Sequence, residues 1–195
     1  MRRLRWLSFF CLWPAAAMAG ENTSAYTSFD LEKTCRKVEQ GDEYVFAGSW
    51  ECPGYKGAKL QISVSDDRSF VGFGPSPGST CAFRKTFSRF NTPLSPVEWR
   101  LRKGKAFATI QRWRVTTDDD GGSVTWLVIT KLDGKEACHV HYIAGSYPDA
   151  NAHARRVADD LANEDFDCAT DGPTIDSKIG EPGIDLSACR DLPAE

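Results

Sequence analysis

Seven short segments rich in β-branched and aromatic residues follow one another through the middle of the chain, and turn residues separate them. Within residues 60–64 apolar and polar residues alternate, which is typical of a strand with one face in solvent. The runs at residues 118–122 and 133–134 are rich in Asp and Gly and predict hairpin connections. The predicted strands span residues 44–50, 60–64, 69–73, 97–101, 107–115, 124–132 and 138–143.

Helical spacing occurs in one later segment. Apolar residues, mostly alanine, recur every three or four positions after Pro148, and Asp149 is placed to cap the first turn. This pattern predicts a helix over about residues 150–163 whose alanine face packs closely against a sheet. Residues 20–28 are polar and predicted to be loose, and residues 31–37 are predicted to form a short helical turn. The fold class that follows is α+β, a mainly antiparallel β-sheet or partial barrel with one C-terminal helix.

The first nineteen residues have the order of a secretory signal peptide. Three arginines come first, an apolar run over residues 6–13 follows, and small residues end the segment at Ala19. This order predicts Sec-type export with cleavage near Ala19 and a periplasmic or secreted mature protein. The apolar run is shorter than the roughly 20 residues that a membrane-spanning helix needs, so we expect no transmembrane segment in the mature chain. We divide that chain into one globular domain over residues 20–168 and an acidic, irregular tail over residues 169–195.

Six cysteines remain once the signal peptide is removed, and an even number in an exported protein favours disulfide bonds over metal ligation. No two cysteines have the C-x-x-C spacing of zinc knuckles or of thioredoxin-type redox sites. Six cysteines allow fifteen pairings, and the sequence does not select one of them. We favour two bridges between segments that are expected to be neighbours and one that anchors the tail, namely Cys35–Cys52, Cys138–Cys168 and Cys81–Cys189.

The strongest functional feature of the sequence is its uneven distribution of charge. Removal of the signal peptide leaves 21 basic and 27 acidic side chains, and the resulting net charge of −6 disfavours nucleic acid as a partner. Residues 82–114 nevertheless carry nine basic side chains against one acid, Glu98, whereas residues 159–195 carry eleven acids and two bases. Aromatic residues interleave with the basic ones. The candidate binding residues of this cationic face are Trp99, Arg100, Arg102, Arg112, Trp113 and Arg114.

Two interpretations of the cationic face are open. In the first, alternation along two adjacent strands places the four arginines on one face over an aromatic core, where they bind an anionic envelope polymer, a lipid headgroup or an acidic protein. In the second, Trp99 and Trp113 belong to the hydrophobic core, and the acidic tail covers the arginines within the same molecule.

Two histidines, His139 and His141, lie two positions apart on a predicted strand. Side chains at this spacing leave the same face of a regular strand, as pairs of metal-ligating histidines do. A third ligand is absent from the neighbouring sequence, and the remaining histidine, His153, lies on the predicted helix. The pair is therefore a weak metal candidate, and the alternative is two sheet residues that flank Val140. We expect no cofactor.

Three other patterns do not identify a catalytic or metal site. Residues 74–78 match the G-x-S-x-G motif of serine hydrolases, but Pro77 has no backbone N–H and its ring opposes the tight turn that the motif needs. The adjacent acids at residues 118–120 lack the alternating ligands of a calcium loop. Glu98 is the one acid within the basic aromatic stretch, which makes it a residue to test as an acid or base and not an assigned catalytic group.

Several short motifs together resemble those of one protein family. The most distinctive is Ser-Trp-Glu-Cys-Pro-Gly-Tyr-Lys-Gly at residues 49–57. The other motifs lie at Cys35 and at residues 98–100, 107–110, 137–140 and 166–168. Over about residues 28–170 the chain thus resembles a family of uncharacterised exported proteins of proteobacteria. The resemblance implies a periplasmic location and no particular activity.

The sequence predicts a non-catalytic periplasmic or secreted binding or inhibitor-like module whose cationic aromatic face meets an anionic partner. One alternative is an envelope enzyme or metal-binding protein that uses His139 and His141, or Glu98 as an acid or base. The other is a structural envelope-integrity protein without a small ligand.

Overall fold

The computed structural model describes residues 22–40, 47–117, 121–161, 165–180 and 183–192. The strands are β1 (Thr23–Thr27), β2 (Arg36–Gln40), β3 (Gly48–Pro53), β4 (Lys59–Ser65), β5 (Arg68–Gly74), β6 (Asn91–Arg102), β7 (Lys105–Thr116), β8 (Ser123–Asp133), β9 (Glu136–Ala144) and β10 (Thr174–Asp176), and the helix α1 spans Ala150–Asp160. The larger sheet has the order β1-β6-β7-β8-β9-β10, and the smaller sheet has the order β2-β3-β4-β5. Within these residues every pairing of named strands is antiparallel except that of β10 with β9, so the predicted α+β class is confirmed.

The two sheets pack face to face around an aromatic core. Trp99, Trp113 and Trp126 on the larger sheet are at most 2% exposed, and they share one hydrophobic cluster with Ile62 and Phe73 of the smaller sheet. The rings of Phe73 and Trp99 meet edge to face with their centroids 5.9 Å apart. Burial of such large apolar side chains is the main stabilising contribution in a core of this kind.

The opposite face of the larger sheet carries helix α1. Ala150, Ala154 and Ala158 are buried in a second hydrophobic cluster that also contains Ile129 and Ile143 of the sheet. The predicted alanine face is therefore present, and its small side chains let the helix lie close to the strands.

The bounds and the capping of α1 differ in detail from the prediction. The helix begins at Ala150, as predicted, and ends at Asp160, while the predicted positions 162 and 163 lie outside the described residues. Asp149 precedes the first turn, but its backbone is left-handed with φ of 52° and its side chain makes no capping hydrogen bond. No helix in the described part of the chain is long and apolar enough to cross a membrane.

Each of the seven predicted strands corresponds to a strand of the structure, and positions 44–46 lie outside the described residues. Three further strands were not predicted. The segment predicted to be loose contains β1, which pairs along β6 with Thr23 opposite Leu101 and Thr27 opposite Val97. The predicted helical turn is limited to residues 31–34, after which the chain enters β2. The polar edge strand β1 has no alternating apolar pattern, so its sequence lacks the usual signal of a strand.

The three favoured disulfide bonds are all present, Cys35–Cys52, Cys81–Cys189 and Cys138–Cys168. The bridge from Cys81 to Cys189 joins positions 108 residues apart and attaches the C-terminal segment to the body of the fold. Because these bridges need an oxidising environment, they fit an extracellular or periplasmic protein.

The C-terminal segment is more ordered than the predicted irregular tail. Residues 174–176 form β10 beside β9, which corrects the prediction at that point. Lys85, only 3% exposed, donates hydrogen bonds to the carbonyl oxygens of Asp185 at 3.0 Å and Ser187 at 2.5 Å. Burial lowers the pKa of Lys85, and the Asp185 carboxylate partly opposes this effect. The segment is thus attached by backbone pairing, by a disulfide and by a buried ammonium group.

Candidate functional site

The two tryptophans of the predicted cationic face belong to the core. Trp99 is 0% exposed and Trp113 is 1% exposed. The indole N–H of Trp99 donates to Thr27 Oγ1 at 2.8 Å, so even its polar atom is used within the molecule. Neither ring is available to a partner in this structure, which agrees with the second interpretation of these residues.

Arg100 is also bound within the molecule. The residue is 6% exposed, and its guanidinium donates to the two carboxylate oxygens of Asp159 at 2.8 and 2.7 Å. A third hydrogen bond runs to Ser24 Oγ at 2.5 Å. Since Asp159 belongs to α1, this bidentate pair fastens the helix to the sheet.

Glu98 lies next to this pair and is engaged in the same way. Its carboxylate accepts hydrogen bonds from Arg155 at 2.7 and 3.1 Å and from Ser24 at 2.5 Å. Burial acts to raise the pKa of Glu98, but the hydrogen bonds from Arg155 and Ser24, with the charge of Arg100, hold this pKa below its ordinary value. The carboxylate therefore stays ionised at neutral pH and anchors α1.

Two more of the predicted arginines have partners on neighbouring segments. Arg102 donates to Asn22 Oδ1 at 3.1 Å, and its guanidinium lies 5.9 Å from the centre of the Phe107 ring. Arg112 donates to Asn151 Oδ1 on α1 at 2.7 Å. Helix α1 and the residue before β1 thus engage three of the four arginines, whereas the second interpretation assigned this role to the acidic tail.

Arg114 differs from the other three arginines. It is exposed near the end of β7, and no ion pair or hydrogen bond to its guanidinium occurs among the described residues. It lines a cavity of about 460 Å³ at one end of the space between the two sheets. The apolar lining comes from both sheets and from the segment after β1, and consists of Phe29, Leu31, Ile62, Val64, Phe90 and Pro93. Cavities of roughly 300 to 1,000 Å³ with mainly apolar walls are typical of small-molecule sites.

Some polar groups of the cavity lining are already used by the fold. The side chain of Asn91 accepts a hydrogen bond from one backbone N–H and donates to two backbone carbonyls. Asp30 accepts backbone hydrogen bonds within its own turn and pairs with Lys33 at 3.1 Å. Asp67 and Arg114 are the exposed charged side chains that line the same cavity without such a partner among the described residues.

His139 and His141 do not share a face of the sheet, because a β-bulge lies between them. Thr130 is opposite His139 and Ile129 is opposite His141, so Val140 is an extra residue without a partner of its own. One extra residue reverses the alternation of side chains along a strand. The prediction that both imidazoles leave the same face is therefore wrong.

His139 points into the core. It is 3% exposed, and its Nδ1 lies 2.6 Å from the hydroxyl oxygen of Tyr142. Burial, with a smaller contribution from the charge of Lys85, lowers the pKa of His139 to about 3. The imidazole is thus neutral at physiological pH and is enclosed by the fold.

His141 instead meets His153 of α1 and Asp176 of β10. Asp176 Oδ2 lies 2.9 Å from His141 Nε2 and 2.6 Å from His153 Nε2. One nitrogen or oxygen atom of each residue lies within 4.8 Å of the others. Burial lowers the pKa of His141, and Asp176 opposes this effect. The structure therefore brings His141 together with two other potential metal ligands, His153 and Asp176, that come from other elements.

The residues that sequence reasoning missed come from distant parts of the chain. Asp176 lies 35 positions after His141 and is one of eleven acids in the C-terminal stretch, so nothing in the sequence distinguishes it from its neighbours. The cavity forms where the ends of β4, β5, β6 and β7 meet residues 29–31. Its walls are ordinary core and edge residues, so no sequence motif marks it.

No family model, curated protein or solved structure matches the chain. The geometry offers two chemical capacities. An apolar cavity with exposed charged groups can hold an amphiphile, and a group of two imidazoles and a carboxylate can ligate a cation.

Proposed function

We propose that the protein is an exported, non-catalytic binding protein that holds a small amphiphile, with the apolar part in the cavity between the sheets and an anionic group at Arg114. The observation that carries this proposal is the apolar cavity of about 460 Å³, which is lined by the one arginine of the predicted cationic face that has no partner among the described residues. The ligand is anionic, as expected from the sequence. It binds at one end of the sandwich and not on the strand faces whose arginines are covered.

The walls of the cavity favour an apolar group. Ile62 and Val64 come from the smaller sheet, Pro93 from the larger sheet, and Phe29 and Leu31 from the segment after β1. Burying about six methylene groups of a ligand would contribute roughly 5 kcal/mol before the cost of association. An alkyl or acyl chain of modest length is the simplest group that uses such walls.

Arg114 provides the preference for an anionic group. Its guanidinium presents a planar set of N–H donors that matches a carboxylate or a phosphate. Asp67 lines the same cavity, so a cationic amphiphile is the competing ligand. Arg114→Gln and Asp67→Asn therefore form a matched pair of variants that remove opposite charges from one site.

An extracytoplasmic location supports a ligand from the cell envelope. The three disulfide bonds fit an extracellular or periplasmic protein. Residues 1–19 lie outside the described residues. We propose that they are a signal peptide, that it is cleaved near Ala19 and that the mature protein is periplasmic. We expect the same address from the resemblance of about residues 28–170 to exported proteobacterial proteins.

Isothermal titration calorimetry with three single-chain amphiphiles of equal length, used below their critical micelle concentrations, tests the proposal. The compounds are an alkyl carboxylate, the matching alcohol and the matching trimethylammonium. We expect one equivalent of carboxylate to bind most tightly, because Arg114 pairs with it. Arg114→Gln should weaken this binding roughly fivefold to tenfold, about 1 to 1.4 kcal/mol, and leave the alcohol unaffected. Asp67→Asn should not weaken it.

The same titrations define the results that would overturn the proposal. Tightest binding of the trimethylammonium compound would assign the charge preference to Asp67. Binding of none of the three compounds would remove the cavity as a site for single-chain amphiphiles.

A further inference from the structure

We propose that His141, His153 and Asp176 form a binding site for a divalent transition-metal ion, with zinc as the expected ion. The site is separate from the cavity at Arg114 and does not depend on the proposed amphiphile. It lies where β9, α1 and β10 meet, on the opposite side of the larger sheet from the smaller sheet.

The three side chains converge on one point from three different elements. Asp176 Oδ2 is 2.9 Å from His141 Nε2 and 2.6 Å from His153 Nε2, and the two imidazole rings are nearly perpendicular with centroids 6.1 Å apart. In a tetrahedral zinc site with bond lengths of about 2.1 Å, neighbouring ligand atoms are roughly 3.4 Å apart. Small outward movements of the three side chains would therefore make room for the ion between the atoms that now contact one another.

The identity of the ligands favours a transition metal over calcium or magnesium. Imidazole nitrogen suits zinc and copper, whereas Mg²⁺ and Ca²⁺ are bound mainly by oxygen. Two neutral imidazoles and one carboxylate leave a bound divalent ion with one positive charge and with an open fourth position. A cavity of about 320 Å³, lined by His141, Thr174 and Asp160 among others, adjoins the site and leaves room there for water or a small anion.

Neighbouring groups hold two of the three ligands in orientation. Thr174 Oγ1 lies 2.5 Å from His141 Nδ1, so it can accept the N–H of that ring when Nε2 binds a metal. The ring of Tyr147 stacks on His153 with centroids 5.1 Å apart and planes 21° apart. In established metal sites a hydrogen bond at the second ring nitrogen, like that of Thr174, fixes the tautomer and orientation of a ligating histidine. The Tyr147 stack restricts only the plane of the His153 ring.

One neighbour must move when the ion binds. Arg156 Nη2 lies 3.5 Å from His153 Nδ1, the nitrogen that carries the proton once Nε2 is ligated. Arg156 is exposed, so its side chain can turn toward solvent. Binding then requires no covalent or redox step. The Nε2 proton of each imidazole moves to Nδ1, and the two hydrogen bonds to Asp176 are displaced.

Calorimetric titration of untagged protein with Zn²⁺ tests the site, after treatment with a chelator and removal of that chelator. An affinity tag rich in histidine is avoided because it would bind the same ion. We expect one equivalent of Zn²⁺ to bind and Mg²⁺ to give no heat. His153→Gln and Asp176→Asn should each weaken Zn²⁺ binding by at least about 100-fold. Asp165→Asn, which removes an exposed carboxylate outside the cluster, should leave the affinity unchanged.

A second measurement distinguishes a metal site from a cluster whose hydrogen bonds only join α1 and β10 to β9. Zn²⁺ should raise the thermal midpoint of the wild-type protein and leave that of His153→Gln unchanged, since a ligand stabilises only the state that binds it. Near-ultraviolet circular dichroism of the metal-free variants confirms that they are folded. The inference is overturned if no Zn²⁺ binds to the wild type, or if folded His153→Gln and Asp176→Asn bind Zn²⁺ as well as the wild type does.

Discussion

Arg100 holds both carboxylate oxygens of Asp159, with hydrogen bonds of 2.8 and 2.7 Å. The sequence predicted that this arginine binds an external anion, whereas in the structure it pairs with the Asp159 carboxylate of the same molecule. The buried guanidinium bonds to Asp159 of α1 and to Ser24 of β1, so it stabilises the position of α1 on the sheet. Helix α1 in turn places His153 beside His141 and Asp176.

Removal of Arg100 should therefore destabilise the fold. We expect Arg100→Met to lower the free energy of unfolding by about 2 to 3 kcal/mol, because it leaves Asp159 unpaired beside the sheet. Arg112→Met, whose guanidinium bonds only to the neutral Asn151 among the described residues, should lower it by less than about 1 kcal/mol. Urea unfolding of both variants checks the difference, and equal losses would argue against a special role for the Arg100 pair.

The buried imidazole of His139 should make the protein sensitive to acid. Burial lowers the pKa of His139 to about 3 from an ordinary value of 6.5, so the unfolded chain binds this proton at a higher pH than the folded chain does. The contribution of His139 to stability is complete above about pH 6.5 and is lost as the pH falls toward 3, by about 1.4 kcal/mol per pH unit. Urea unfolding between about pH 6 and pH 4 in metal-free buffer measures this slope. His139→Gln should show a shallower slope, and a variant as acid-sensitive as the wild type would contradict the assignment.

The bridge between Cys81 and Cys189 should contribute more to stability than its place near the C-terminus suggests. It closes a loop of 108 residues, and the chain-entropy model assigns about 4 to 5 kcal/mol to a loop of this size. We expect the double variant Cys81→Ala and Cys189→Ala to unfold at a lower urea concentration than the wild type.

The hydrogen bonds from Lys85 to the C-terminal segment should keep that segment attached in the folded double variant. Proteolysis near residue 185 as rapid as in the unfolded chain would contradict that attachment.

The long strands and the helix could be predicted because their patterns follow local rules. Strand β4 alternates buried and solvent-facing residues, β6 to β9 contain runs of consecutive buried residues, and α1 has its alanines at helical spacing. The sequence does not select among the fifteen pairings of the six cysteines. We favoured two bridges between segments expected to be neighbours and one that anchors the tail, and the structure confirms all three.

The candidate sites depend on features that have no local pattern. The bulge at Val140 turns His141 away from His139, and a single extra residue leaves no mark in the composition of a strand. Asp176 reaches His141 only because β10 adds to the edge of the larger sheet in parallel with β9. Arg114 carries the same charge as Arg100, and only the packing of α1 shows which of the two is paired within the molecule.

Nuclear Overhauser contacts between a bound alkyl carboxylate and the methyl groups of the protein test the central claim most directly. With ¹³C-labelled protein and an unlabelled ligand, we predict cross-peaks from the alkyl chain to methyl groups of Leu31, Ile62 and Val64, which line the cavity. Arg114→Gln should reduce their intensity at a ligand concentration below saturation. Cross-peaks confined to residues outside the cavity, or their absence while the wild type binds the ligand, would contradict the account.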